Sequence, residues 1–451
     1  MKKQLLLFFI PFLMASETSA QKILNQYLDS ALNNNIVLQQ KNITLQQAIY
    51  ALKTAKGMFY PRVGIQASYT TADGGRNISL PIGDMLNGVY TTLNQLTQTQ
   101  KFPQLENKSI NFLPQNYYDM KVHTEVPIFN SKLNYNKKIK NQQVALTQYQ
   151  IDIYKRELVA KVKKGYYQYL QSIDAISIYR SALELAKENK KINESLLKNG
   201  KGLPAYVLRA KSKIEAVKAQ LIAAKQQKDN AKHYFNFLLN RKLKEAIKSP
   251  IEETAPIDHI LTLLNTPIDV SQREELQELQ KYIAIKENIY KMKKAIFYPS
   301  LNGFLDLGSQ AENLQFNSQS KYFMAGLQLE IPLFEGNKNR NNIKQAQLSV
   351  QKSKLNSHRI TQKLKLGGST SKGKLRTAYQ EYLSAKKRLK SAKAYHHLIS
   401  EGYKKGVNAY IEVLDAQDQL TKAKLAVNIN QYKMQKAKAE LERATASYKL
   451  N

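Results

Sequence analysis

Phe59-Tyr60-Pro61-Arg62-Val63-Gly64-Ile65-Gln66-Ala67-Ser68-Tyr69 returns later in the chain as Phe297-Tyr298-Pro299-Ser300-Leu301-Asn302-Gly303-Phe304-Leu305-Asp306-Leu307. Each copy opens on aromatic-aromatic-Pro and runs on as an alternating segment, the period-2 pattern of a half-buried strand. A second echo follows. Val126-Pro127-Ile128-Phe129-Asn130 recurs as Ile331-Pro332-Leu333-Phe334-Glu335, and both are entered by alternation: Met120, Val122, Thr124 and Val126 against Lys121, His123 and Glu125, then Phe323, Ala325, Leu327, Leu329 and Ile331 against Met324, Gly326, Gln328 and Glu330. The chain is therefore an internal repeat whose unit reads helix, strand pair, long helix, Gly-containing turn, helix. Asn199-Gly200-Lys201-Gly202 answers Glu401-Gly402-Tyr403-Lys404-Lys405-Gly406 as the turn.

The long helices set the architecture. The 69 residues from Ser131 to Asn199 contain one glycine, Gly165, and no proline; as a continuous helix they extend roughly 100 Å at 1.5 Å per residue. Such a helix cannot fold into a globule and must lie along other helices. Its apolar positions Val144, Ile151, Leu158, Val162, Tyr169, Ile173 and Ile176 step in near-heptads, the pattern of a coiled-coil seam. The strands pose the opposite problem: four per chain leave open edges, whereas a membrane barrel must close with about eight at the least, so several chains would have to complete one barrel.

Composition narrows the function. The 451 residues carry 69 Lys+Arg against 35 Asp+Glu, a formal charge of +34, with no Cys and no Trp. Without cysteine there is no disulfide framework, thiolate metal site or cysteine nucleophile, and no thiol for a lipoprotein-type anchor. Basic Lys2-Lys3, apolar Leu5 to Met14 and small Thr18-Ser19-Ala20 read as a secretory signal peptide, leaving Gln21 as the mature start. Export argues against nucleic acid as the partner of the positive charge, and the lysines are spread over the whole length rather than gathered on one face. The expected division is a signal peptide at 1–20; a first repeat at 21–249, with strands at about 61–70 and 118–127, a long helix at about 131–199, a tip turn at 199–204 and a helix at 205–240; a linker at 250–267; and a second repeat at 268–451, with strands at about 299–308 and 321–332, a long helix at about 338–400, a turn at 401–408 and a helix at 409–448. The segment from Thr70 to Gln115 is too irregular to divide into strand and external loop.

Taken together, these residues resemble the TolC-type outer-membrane efflux proteins over nearly the whole mature chain. The marks are the duplication, the aromatic-Pro entries Tyr60-Pro61 and Tyr298-Pro299, the exit Pro332-Leu333-Phe334 with Gly336 and Arg340, and Gly406 followed by Tyr410-Ile411-Glu412-Val413-Leu414-Asp415-Ala416-Gln417. The resemblance implies a mainly α fold with a β-barrel part: a homotrimer with four strands per protomer in a twelve-stranded barrel, set in outer-membrane lipid and continuing into an α-helical periplasmic tunnel. It implies a passive exit duct, with no cofactor, that works with an inner-membrane pump and a periplasmic adaptor docking on the hairpin tips, where Gly200, Gly202, Gly402 and Gly406 stand. It also implies a pore constriction at Glu412 and Asp415, with Tyr403 in a closing link. In the first repeat Tyr206 falls opposite Glu412 and Arg209 opposite Asp415, so that copy offers no acid, and Asn408 takes the position of a basic link residue.

Two features lie outside that pattern. Leu366-Gly367-Gly368-Ser369-Thr370-Ser371-Lys372-Gly373-Lys374 reads as an insertion, since the offset between copies rises from about 205 to about 213 residues across it; a flexible interruption of the long helix is expected there. Gly368 to Lys374 fits Gly-x-x-x-x-Gly-Lys, but Leu375 replaces the required Ser/Thr and no strand precedes it, so a phosphate cradle does not follow. His123, His233, His259, His358, His396 and His397 show no metal-ligand spacing, and no nucleophile elbow or carboxylate pair nominates an enzyme. The remaining alternatives are a secreted coiled-coil structural or adhesive protein and an exported binder of anionic polymers.

Overall fold

The computed structural model describes residues 19–113, 115–249, 258–448 and 450. The expected signal peptide lies outside these except for Ser19 and Ala20, as does the linker from 250 to 257. In chain order the elements are α1 (Ser19–Asn34), α2 (Ile36–Gly57), β1 (Arg62–Thr70), β2 (Asn77–Leu80), α3 (Ile82–Thr97), β3 (Lys108–Asn111), β4 (Tyr117–Phe129), α4 (Ser131–Lys198), α5 (Pro204–Leu238), α6 (Asp258–Asn265), α7 (Glu274–Lys294), β5 (Ser300–Glu312), β6 (Lys321–Glu330), α8 (Lys338–Lys404) and α9 (Tyr410–Thr445). The described residues divide into a helical unit, those within 19–49, 142–284 and 350–450, and a strand unit, those within 50–141 and 285–349.

In the strand unit, β1, β4, β5 and β6 form one antiparallel sheet in the order β1-β4-β5-β6, so β1 and β6 are its free edges. Directly opposed residues share a face, and the register separates the two faces by chemistry. Ile65 opposes Val122, which opposes Leu307, which opposes Phe323. Along the other face His123 opposes Asp306, and Lys121 and His123 both reach the Asp306 carboxylate, at 3.0 and 2.5 Å. Asn302 donates to Glu125 at 3.1 Å and Tyr322 donates to Asp119 at 2.8 Å on that same side. Two glycines make room for rings there: a Cβ at Gly326 would meet the Phe304 ring, and one at Gly308 the Tyr322 ring. The apolar face is exposed at Val63, Ile65, Met120, Leu307, Phe323, Leu327 and Leu329. A sheet that pairs its charges on one face and leaves the other apolar is built for lipid on the apolar side.

The helical unit holds two matched cores. In the first, Val162, Tyr166 and Tyr169 of α4 pack with Phe235 and Leu238 of α5 and with Leu24, Tyr27 and Leu28 of α1. In the second, Leu375, Tyr379 and Tyr382 of α8 pack with Met434 and Leu441 of α9 and with Ile260 and Leu264 of α6. The spacing of the three core residues on α4 and on α8 is the same, a trace of duplication at the level of packing. No helix among the described residues is long and apolar enough to cross a membrane.

Three readings need correction or addition. The interruption expected at 366–374 is absent: α8 is helical from Lys338 to Lys404. Gly368 serves close approach, because a Cβ there would stand 2.7 Å from Ile268, and Lys372 donates to the Thr266 carbonyl at 2.9 Å. The 250–267 linker includes α6, which the second core buries at Ile260. The undivided stretch after β1 is a folded insertion: β2 and β3 pair as a separate two-stranded sheet, with α3 between them.

Candidate functional site at the hairpin tips

The α4–α5 and α8–α9 hairpins turn by the same backbone device. Gly200 has φ of 68° and Gly406 φ of 80°, the left-handed conformation that only glycine adopts without strain. Around Gly200, its own amide donates to the Leu197 carbonyl and Lys201 to Leu196; around Gly406, its own amide donates to Tyr403 and Val407 to Gly402. Both are the two-bond helix end that satisfies otherwise orphaned carbonyls. The structure thus makes Gly200 and Gly406 equivalents. Gly202 and Gly402 are not a pair: a Cβ on Gly202 would meet the Leu197 backbone nitrogen at 2.8 Å, while one on Gly402 would run into the Asn408 side chain.

Beyond the turns the copies differ. α5 starts with Pro204 at its first helical position, where the missing N–H costs nothing. α9 starts after Ala409, whose side chain offers no acceptor, and Glu412 supplies the cap from inside the helix: its carboxylate accepts from the Ala409 amide and from Asn408 Nδ2, each at 2.9 Å. Those two donors hold the Glu412 carboxyl below its ordinary range. Asp415, exposed one turn on, accepts from Gln419 Nε2 at 2.6 Å. Asp418 extends the line and pairs with Lys213 of α5.

Behind the acids, Tyr410 and Val413 are 1% exposed and pack with Ala210, Tyr206, Tyr403 and Leu414. The Tyr410 ring lies 5.3 Å from that of Tyr206 and 5.6 Å from that of Tyr403. Tyr403 donates its hydroxyl proton to Oδ1 of Asn193 on α4 at 2.7 Å, tying α8 to the first hairpin. Burial, with Tyr403 alongside, pushes the Tyr410 hydroxyl up to about 12. That hydroxyl has no hydrogen-bond partner among the described residues.

Of the residues singled out from the sequence, Glu412 and Asp415 lie on the exposed start of α9, Tyr403 makes a link between the two hairpins, and the four glycines sit at or beside the turns. Sequence reasoning missed Asp418, Lys213 and Asn193. Asp418 repeats the three-residue step from Glu412 to Asp415 and was legible; Asn193 is one of several asparagines on a polar helix and carried no signal. Among the described residues no group of three or more His, Asp or Glu side chains has metal-holding geometry.

Duplicated helical hairpins joined to a two-faced sheet with open edges define the class of outer-membrane channel subunits. The comparisons agree: the outer membrane efflux protein family model matches residues 27–241 and 270–447, one match per repeat. The chain belongs to that family, which places it at the outer membrane. It is similar to the alkaline protease secretion protein AprF of Pseudomonas aeruginosa, 24% identical over 204 residues, or 44% of this chain and 42% of that one. It is also similar to the probable outer membrane lipoprotein SilC of Salmonella typhimurium, 23% identical over 58% of each chain. The matches span about half the length of these relatives. The Campylobacter jejuni CmeC outer membrane channel shares the fold, with a TM-score of 0.74 and 17% identity over 94% of this chain and 85% of that one.

Proposed function

We propose that the chain, exported by its first 20 residues, is one protomer of a homotrimeric exit duct that passively conducts substrates delivered by an inner-membrane pump and a periplasmic adaptor across periplasm and outer membrane. The observation that carries this reading is the sheet. Its four strands present an exposed apolar face and two free edges, β1 and β6, and neither is tolerable in water. Three copies joined edge to edge close a twelve-stranded barrel, which removes the edges and gives the apolar face to lipid. A secreted coiled-coil protein would leave both unexplained.

In the helical unit, three copies of Glu412, Asp415 and Asp418 form a ring of carboxylates that repels anions and concentrates cations in a narrow hydrated constriction. The Tyr403–Asn193 bond and the Lys213–Asp418 pair bridge the two hairpins, and release of such bridges is the natural step in widening it. Gly200 and Gly406 place the two tips where an adaptor docks, with Gly202 and Gly402 beside them. The test is the native mass and membrane fraction of the mature chain after mild detergent extraction, followed by single-channel recording. A trimer from outer membranes, with cation preference reduced by Glu412→Ala plus Asp415→Ala, supports the duct; a soluble monomer or dimer obtained without detergent refutes it.

A further inference from the structure

The insertion between β1 and β4 is far longer than the turn between β5 and β6, and it is ordered by a device of its own. On one side of α3, Asn87 makes a reciprocal pair with Leu105, donating to its carbonyl at 2.9 Å and accepting from its amide at 2.7 Å. Asn94, two turns on, does the same with Phe102 at 2.7 and 3.1 Å. Asn107 Nδ2 donates to Asp84 at 2.9 Å, and its Oδ1 accepts from the Asp84 amide at 3.1 Å. Asp84, Asn87, Thr91 and Asn94 lie on one helix face, so the returning segment is laced along that face. The opposite face is apolar and bare: Met85 is 71% and Leu96 77% exposed, with Val89 between them.

We propose that the bare α3 faces of three protomers pack against one another across the outer mouth of the barrel, narrowing the exit. This rests on the trimeric duct above. The insertion springs from Thr70, the end of β1, which is a free edge and hence the seam with the next protomer, so the face continues an intersubunit contact. Lipid is not its occupant. The apolar sheet face ends in an aromatic girdle, Tyr69 opposite Tyr118 with the Phe316 ring tilted against that of Tyr118 at 4.4 Å, and the insertion begins beyond it. The reach is sufficient: twelve strands at ~4.8 Å spacing and about 40° tilt close on a backbone radius of roughly 12 Å. The 16 residues of α3 extend about 24 Å.

A chain without cysteine suits the test. Full-length Met85→Cys, Leu96→Cys and, on the laced return segment, Gln104→Cys are purified in detergent, sized by native mass, and treated with a short bismaleimide. Covalent dimers from Met85→Cys and Leu96→Cys, with none from Gln104→Cys, are expected. Trimers that give no dimer at either site, or equal dimer at all three, overturn the proposal and leave the duct standing; absence of trimers overturns both. In planar bilayers Val89→Asp plus Leu96→Asp raises single-channel conductance if the faces meet over the mouth. Unchanged conductance in intact trimers means the faces lie elsewhere, against headgroups, and refutes the proposal.

Discussion

The two hairpin tips share a backbone and little else. Gly200 and Gly406 close their helices with the same pair of amide bonds, yet the next helix starts in one copy with Pro204, Tyr206 and Arg209 and in the other with Tyr410, Glu412 and Asp415. Turn geometry depends on a positive φ and on main-chain donors, so it survives any change of side chain that spares the glycine. Charge and packing carry no such constraint, and there the copies have diverged into a basic tip and an acidic one. Duplication supplied the scaffold; the divergence supplied the acids and the buried aromatic cluster of the second tip.

Pseudo-equivalent positions allow that comparison to be broken directly. Tyr410→Ala removes a side chain that is 1% exposed and should destabilise its tip by about 3–5 kcal/mol. Pro204→Ala, the matching change in the first copy, should cost about 1 kcal/mol or less. Amide hydrogen exchange over residues 196–210 and 402–416 compares the two, and equal losses would mean that the aromatic cluster is not what distinguishes the tips. Tyr403→Phe leaves Oδ1 of Asn193, a residue 2% exposed, without its donor, for a cost of about 1–3 kcal/mol. Because the bond joins the hairpins, faster exchange should spread into α4 around Asn193 and leave the Gly200 turn unchanged.

Alkaline pH sharpens the contrast further. Tyr410 titrates near 12 in the folded tip against an ordinary value of 10.0, so the unfolded chain loses that proton first and folded stability falls between pH 10 and 12. Tyr410→Phe, which deletes an unpartnered hydroxyl, should remove that contribution of Tyr410 to the alkaline loss at the acidic tip and be neutral or stabilising at pH 7. The smallest effect belongs to Glu412→Gln. The folded carboxyl sits below its ordinary value of 4.5, so its contribution is present above that pH and lost as pH falls through the lowered value. Gln still accepts a hydrogen bond, so the tip should hold at pH 7 while the acid sensitivity of residues 408–413 disappears from the exchange profile.

Legibility followed the range of the forces. Period-2 alternation around Val122 and Leu327 announced strands, and glycine-poor helical runs announced α4 and α8, because each pattern is local. Glycines at 367, 368 and 373 pointed to a break in α8, but packing overrode propensity where Ile268 approaches Gly368. The insertion after β1 resisted reading because the bonds that order it, Asn87 to Leu105 and Asn94 to Phe102, join a helix to an extended segment with no periodicity. In the tips, the acids were visible as residue types; Asp418 with Lys213 and Tyr403 with Asn193 were not, being pairs some 200 residues apart in sequence.

By itself the sequence determined the duplication, the alternation that makes a two-faced strand, the unbroken α4 and the glycines that end the hairpin helices, since each follows from the preferences of neighbouring residues. The tertiary structure alone decided that β1 and β6 are the open edges, that Lys121 and His123 both reach the Asp306 carboxylate, and that α3 is laced on one face and bare on the other. These depend on which distant residues become opposed once register and helix phase are set, and no local preference specifies that.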